Sequence, residues 1–334
     1  MKTQPNSPSK RGFTLMELMV AMAITSIIVT VLVSITSIAL ETWNRSRAEL
    51  RASRQGKMMV DFMARDFESL VTRKGNANEW LSAKVDPGIA TLGDAGKGLL
   101  STNAAKLVFF TAATDRYNGN IGDATQDRGG DVSCVAYLLE YRDPIDGGGS
   151  AKYKTFVMNR LLVNPDDTFG VTAPAKALLG TTDVTTAGKS LDSIFSAAYP
   201  NSEVTKPGNF ICENIYQFSL TFHVLVAQVS GAGTPSATTT LIDVPVTVGP
   251  AASGKTSDDF RMAGTGNIVT TAPTGFTPDE IKAGRVTAVE ISVSVISDFG
   301  IDQMRTRSFS GSQQSEFLAK NSYQYTKLVQ LPGM

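Results

Sequence analysis

Glu17 is an acid at the edge of a stretch that has no other use for one: from Leu18 to Leu40, 23 consecutive residues carry no charge. A carboxylate within a bilayer costs roughly 2.5 to 3.5 kcal/mol at the centre and less near the edge, so it needs a partner, and a charge in that setting marks function by default. Lys10 and Arg11 are the nearby cations of the same chain. Four other groups of residues have types and spacing that can do chemistry. Gly249-Pro250-Ala251-Ala252-Ser253-Gly254-Lys255-Thr256 fits the phosphate-cradling P-loop pattern after an apolar stretch. Asp123, Asp127 and Asp131 lie in a glycine-rich loop, where carboxylates and carbonyls can hold calcium, although spacing by four does not match the EF-hand loop. Cys134 and Cys212 can form a disulfide in an oxidising compartment, or remain as two buried thiols. His223, the single histidine, excludes any metal centre that needs two imidazoles.

Composition narrows these options. The chain has 334 residues, 42% hydrophobic and 19% charged, which is ample for a core and excludes disorder as the dominant state. Lysine plus arginine equals aspartate plus glutamate at 31 each, so no overall basic field holds a nucleic-acid backbone, and no nucleic-acid partner is expected. The two cysteines are too few for a disulfide scaffold or a four-thiolate zinc site.

The elements that must position these residues begin with one helix. Residues 18–40 cover roughly 30 Å as a helix, the thickness of a bilayer's hydrocarbon core. Their apolar side chains occupy every helical face, as suits a segment surrounded by lipid or by other helices. Lys2, Lys10 and Arg11 precede the run without an acid among residues 1–12, favouring a cytoplasmic N-terminus and sending the chain beyond Leu40 across the membrane. Beyond Leu40 the pattern becomes amphipathic, with Leu50, Met58, Met59, Phe62, Met63, Phe67 and Leu70 as the expected core-facing stripe. The helix is expected from Phe13 to about Leu70, on the order of 87 Å.

Strands are expected at Lys106 to Thr111, Val132 to Tyr141, Tyr153 to Leu162, Ile215 to Val226, Thr239 to Val248 and Arg285 to Ile296. In the fourth of these, Tyr216, Phe218, Leu220, Phe222, Val224 and Val226 share one face, and Gln217, Ser219, Thr221 and His223 share the other. His223 therefore reads as a polar-face side chain. Long connections are expected at Asn76 to Ala105, Asn164 to Asn209 and Ala227 to Phe276. A working P-loop needs a helix whose N-terminal amides hold phosphate. Ser257 to Gly266 meets two glycines and has no apolar helical face, so Lys255 reads as part of a flexible loop and nucleotide hydrolysis is set aside.

The string Lys10-Arg11-Gly12-Phe13-Thr14-Leu15-Met16-Glu17-Leu18 resembles the prepilin processing site of type IV pilins and type II secretion pseudopilins. The resemblance implies a cut between Gly12 and Phe13 by the prepilin peptidase, a membrane aspartyl protease, and N-methylation of the new terminal Phe13. It also implies that Glu17 pairs with the terminal amine of a neighbouring subunit. Three later fragments, Val135 to Leu139, Asn214 to Leu220 and Val286 to Val293, are similar in order to strands of the J-type minor pseudopilin.

The resulting expectation is an α+β, pilin-like chain with an antiparallel sheet. Its parts would be a leader at 1–12, a transmembrane half-helix at 13–40, an amphipathic half-helix at 41–71 and a β-rich extracytoplasmic domain with long loops at 72–334. Such a chain is a single-pass protein of a bacterial inner membrane, its partners being the peptidase, the membrane and other pilin-like subunits in a pilus or pseudopilus. It is not itself an enzyme and needs no cofactor beyond the calcium that Asp123, Asp127 and Asp131 can hold. The alternative is a membrane-anchored binding protein that never enters a fibre.

Overall fold

The computed structural model describes residues 12–72, 78–85, 104–112, 132–144, 153–169, 177–178, 190–230, 238–249, 259–264, 266–307, 309 and 311–331. Its class is α+β, with a long helix and two antiparallel sheets. Helix α1 runs from Leu15 to Glu68, two residues inside the expected span at each end. The chain divides into two compact units, residues 1–48 and 49–334, so the boundary falls within the half-helix expected to be amphipathic.

In the first unit every residue from Leu15 to Arg47 is exposed. The segment is long and apolar enough to cross a membrane, with a mean hydropathy of 2.6 over its most apolar window. Its threonines are compatible with lipid because each hydroxyl donates to a carbonyl one turn back: Thr25 to Ala21, Thr30 to Ser26, Thr36 to Leu32 and Thr42 to Ile38, at 2.8 to 2.9 Å. None of these four threonine donors is left stranded in hydrocarbon.

In the second unit a seven-stranded sheet is ordered β5-β4-β3-β2-β1-β8-β9, from β1 (Glu79–Val85), β2 (Ala104–Thr111), β3 (Ser133–Arg142), β4 (Thr155–Val163), β5 (Phe210–Cys212), β8 (Asp259–Ala263) and β9 (Ile268–Thr270). A four-stranded sheet is ordered β11-β10-β6-β7, from β6 (Ile215–Ser230), β7 (Thr238–Val248), β10 (Arg285–Ile296) and β11 (Ser322–Gln330). Helix α2 (Leu191–Ala198) follows an N-cap at Ser190 and is tied to the first sheet by Glu79, which accepts from the Leu191 amide at 2.7 Å, and by a Lys106–Asp192 ion pair. Helices α3 (Asp298–Thr306) and α4 (Gly311–Asn321) lie between β10 and β11.

All six expected strands are present, but all three expected connections hold further structure. β1 falls within Asn76–Ala105, α2 within Asn164–Asn209, and β8 and β9, beyond the expected β7, within Ala227–Phe276. The expected alternation of β6 holds from Phe218 to Val226 and fails at its start, where Ile215 is buried and Tyr216 only half-buried. The register with β10 slips there, opposite Ser294 and Val295, and one extra residue reverses the faces.

The rest of α1, from Glu49, packs through one arc: Ala52, Gly56, Met59, Val60, Met63, Ala64, Asp66 and Phe67 are buried. Small residues in this arc let a sheet come close; a Cβ built on Gly56 would lie 2.8 Å from Tyr325 Cδ2. Phe67 stacks on Phe109 at 4.6 Å between centroids, and Phe109 on Tyr137 at 6.5 Å. Asp66, the buried acid of the arc, accepts two bonds from Arg160, Nε at 2.7 Å and Nη2 at 2.8 Å, and a third from the Tyr137 hydroxyl. Burial works against the Arg160 guanidinium, yet Asp66 and Tyr137 together outweigh burial and raise it above its ordinary range; burial and then Asp66 push the Tyr137 phenol well up. A fully satisfied buried ion pair of this kind fixes the helix in one position on the sheet. Phe222 and Phe260 stack at 4.0 Å and join the inner faces of the two sheets.

Candidate processing and assembly site

Thr14 and Glu17 close the start of α1. The Thr14 amide and hydroxyl donate to Glu17 Oε2 at 2.9 and 3.0 Å, the Glu17 amide donates to Thr14 Oγ1 at 3.2 Å, and the Leu18 amide reaches the Thr14 carbonyl at 3.2 Å. This is a reciprocal capping box: the threonine satisfies an orphan amide of the first turn while the glutamate returns to the amide of the cap. Thr14 is a partner for Glu17 beyond the cations expected from the sequence, Lys10 and Arg11, which lie outside the described residues. The signal was present, as Thr14 and Glu17 have the Thr-x-x-Glu spacing of a capping box.

Because the cap sits at Thr14, Gly12 and Phe13 precede the helix. Both are exposed, Phe13 at 89%. A Cβ placed on Gly12 would meet nothing within 4 Å. The Gly12–Phe13 bond, where the resemblance puts the cut, lies in the exposed coil of residues 12–14 ahead of α1. Cleavage there would leave a primary amine at Phe13, one residue ahead of the cap and four residues before Glu17 in the sequence. The prokaryotic N-terminal methylation motif matches residues 7–33, spanning the junction, the capping box and most of the apolar run. The chain carries this motif. The methylation motif is consistent with the type IV pilin and pseudopilin family, and with the apolar helix it fits a protein anchored in an inner membrane by a single pass. No curated relative and no solved structure matches the chain.

The remaining expected site residues are scattered. Asp123, Asp127, Asp131 and Lys255 lie outside the described residues. Of the P-loop-like string only Gly249 is described, with φ +99°, and the next described element, Asp259–Ala263, is strand β8. Cys134 and Cys212 are buried free thiols. Cys134 pairs with Val163 and Cys212 with Met158, five residues apart on β4, which is about 16 Å along the strand. A disulfide needs Cα atoms within about 7 Å, so these two are not bridged, and the reading as two buried thiols is the one met. Burial drives both thiols far above their ordinary range, which makes them poor nucleophiles. His223 takes the expected polar face, with Nδ1 2.8 Å from Asp243 Oδ2 and Nε2 4.0 Å from Glu290. Among the described residues no group of three acids, histidines or cysteines could hold a metal ion.

Proposed function

We propose that this chain is a structural subunit of a type IV pilus or type II secretion pseudopilus, of the minor kind, trimmed by the prepilin peptidase between Gly12 and Phe13, methylated at Phe13 and assembled through its N-terminal helix. The observation that carries this reading is the match of the methylation motif to residues 7–33, over a junction that is exposed and ahead of the helix cap. In the membrane, the capping box keeps Glu17 hydrogen-bonded while it waits. In the fibre, the Phe13 ammonium of a neighbour displaced along the axis neutralises Glu17 and sets the stagger, because an unpaired carboxylate in an apolar bundle is far costlier than a paired one. The β-rich unit stands on the extracytoplasmic side and chooses neighbours.

Glu17→Ala in the native host tests the pairing. The variant is expected to insert and be trimmed but to be lost from sheared fibre fractions in a complementation assay. Incorporation equal to the unaltered chain would contradict the role of Glu17. Retention of residues 1–12 in the native protein would instead favour a permanently anchored binding protein.

A further inference from the structure

The arc of α1 opposite the sheet does not look like a solvated helix face. Leu50, Met58 and Phe62 are 57%, 48% and 41% exposed, and beside them Phe210, at the start of β5, is 37% exposed. Met58, Phe62, Phe210 and Ile211, with Gln55 and Arg160, line a cavity of about 340 Å³ open to solvent. Exposed Arg54, Lys57 and Arg65 lie on the same arc, and among the described residues they have no ion-pair partner. Two acids share this arc: Asp61 is taken by Lys327 at 3.1 Å, and Glu68 is exposed at its C-terminal end, while Arg160 is neutralised by Asp66. The face therefore combines an apolar cavity with an excess of cations, three against the one exposed acid Glu68 among the described residues.

We propose that this face docks an amphipathic helix of a different pilin-like subunit, one whose apolar ridge is flanked by acids; the identity of the partner as pilin-like rests on the function proposed above. An apolar side chain of that ridge fills the cavity between Met58, Phe62 and Phe210, and its flanking carboxylates meet Arg54, Lys57 and Arg65. Charge complementarity selects this occupant. Two copies of this chain placed face to face would oppose their own cations, so the surface works against self-pairing. A lipid surface would suit the cations, but a concave apolar cavity fits a side-chain knob better than a plane of headgroups.

The full chain in nanodiscs of neutral lipid can be titrated with two synthetic helices of about 20 residues that share a leucine ridge, one flanked by glutamate and the other by lysine. Binding of the glutamate helix alone is expected. Phe62→Ala should weaken it about thirtyfold, as for a buried aromatic anchor. The triple variant Arg54→Glu, Lys57→Glu, Arg65→Glu should reverse the preference, while Arg54→Lys keeps it. The inference is overturned by equal binding of both helices, by indifference to Phe62→Ala in a variant with unchanged near-ultraviolet dichroism, or by Phe62-dependent self-association in sedimentation. It is also overturned if anionic nanodiscs without peptide protect the face from hydrogen exchange. Binding is read on the unprocessed chain, so this result is separable from the fate of Gly12–Phe13.

Discussion

The two stretches of α1 are the same secondary structure under different rules. From Leu15 to Arg47 every residue is exposed and apolar side chains point in all directions; from Glu49 to Glu68 one arc is buried against two sheets and the other is open. Helical geometry is thus set locally in both, but only the second stretch has its environment supplied by its own chain. The first has none among the described residues and draws its stability from whatever surrounds it, lipid or neighbouring helices.

The contrast is broken most sharply by paired truncations. Phe67→Ala, at a fully buried and stacked position, should destabilise the second unit by about 3 to 5 kcal/mol in denaturant titrations, whereas Ile28→Ala should stay within about 0.5 kcal/mol. Equal effects would mean that the first stretch also has a tertiary core. Arg160→Leu leaves Asp66 charged, buried and short of two donors, and a loss of about 3 to 5 kcal/mol should follow; replacing both partners by apolar residues should recover much of it. A single-variant cost near zero would show the pair to be solvated.

Gly56→Ala sharpens the comparison further. On an exposed helix it would stabilise by about 1 kcal/mol, but here the methyl lies 2.8 Å from the Tyr325 ring and 3.1 Å from Val295, so a cost of about 1 to 3 kcal/mol is expected. A gain in thermal stability would refute the close packing. The smallest effect is the pH dependence. Cys134 and Cys212 are raised from 9.0 and Tyr137 from 10.0, so the folded chain keeps protons that the unfolded chain releases. Stability from these groups is complete below pH 9.0 and declines above it, and thiol reagents should stay unreactive until denaturant is added. Stability that rises above pH 9.0, or a rapidly titrated native thiol, would contradict their burial.

Local pattern made much of this legible. The helix limits, the six strongest strands and the polar face of His223 follow from periodicity and runs of β-branched residues. The stripe expected to face the core was read in part only. Met59, Met63, Phe67 and Leu70 are buried, but Leu50, Met58 and Phe62 sit on the opposite arc. At 100° per residue, Met58 and Met59 cannot both lie at the centre of one face, and the buried side is completed by Ala52, Gly56 and Ala64, whose small size signals close approach and not hydrophobicity. β11 carries no strong strand pattern because most of its outer positions are polar and its inner ones include Tyr325 and Lys327, which reach α1 through Ser53 and Asp61. Asp66 with Arg160 was invisible for a different reason: 94 residues separate them, and only the fold brings them together. At the N-terminus the string around Gly12 and Phe13 was readable because its chemistry is contiguous, while the Thr14 cap needed the helix start to be located first.

The central claim is that the bond between Gly12 and Phe13 is cut and the new amine modified. Intact and N-terminal peptide mass spectrometry of the protein from its native membrane tests it most directly. The account predicts a chain beginning at methylated Phe13, with residues 1–12 absent. A chain that keeps Met1, or that begins at any other residue, would contradict it.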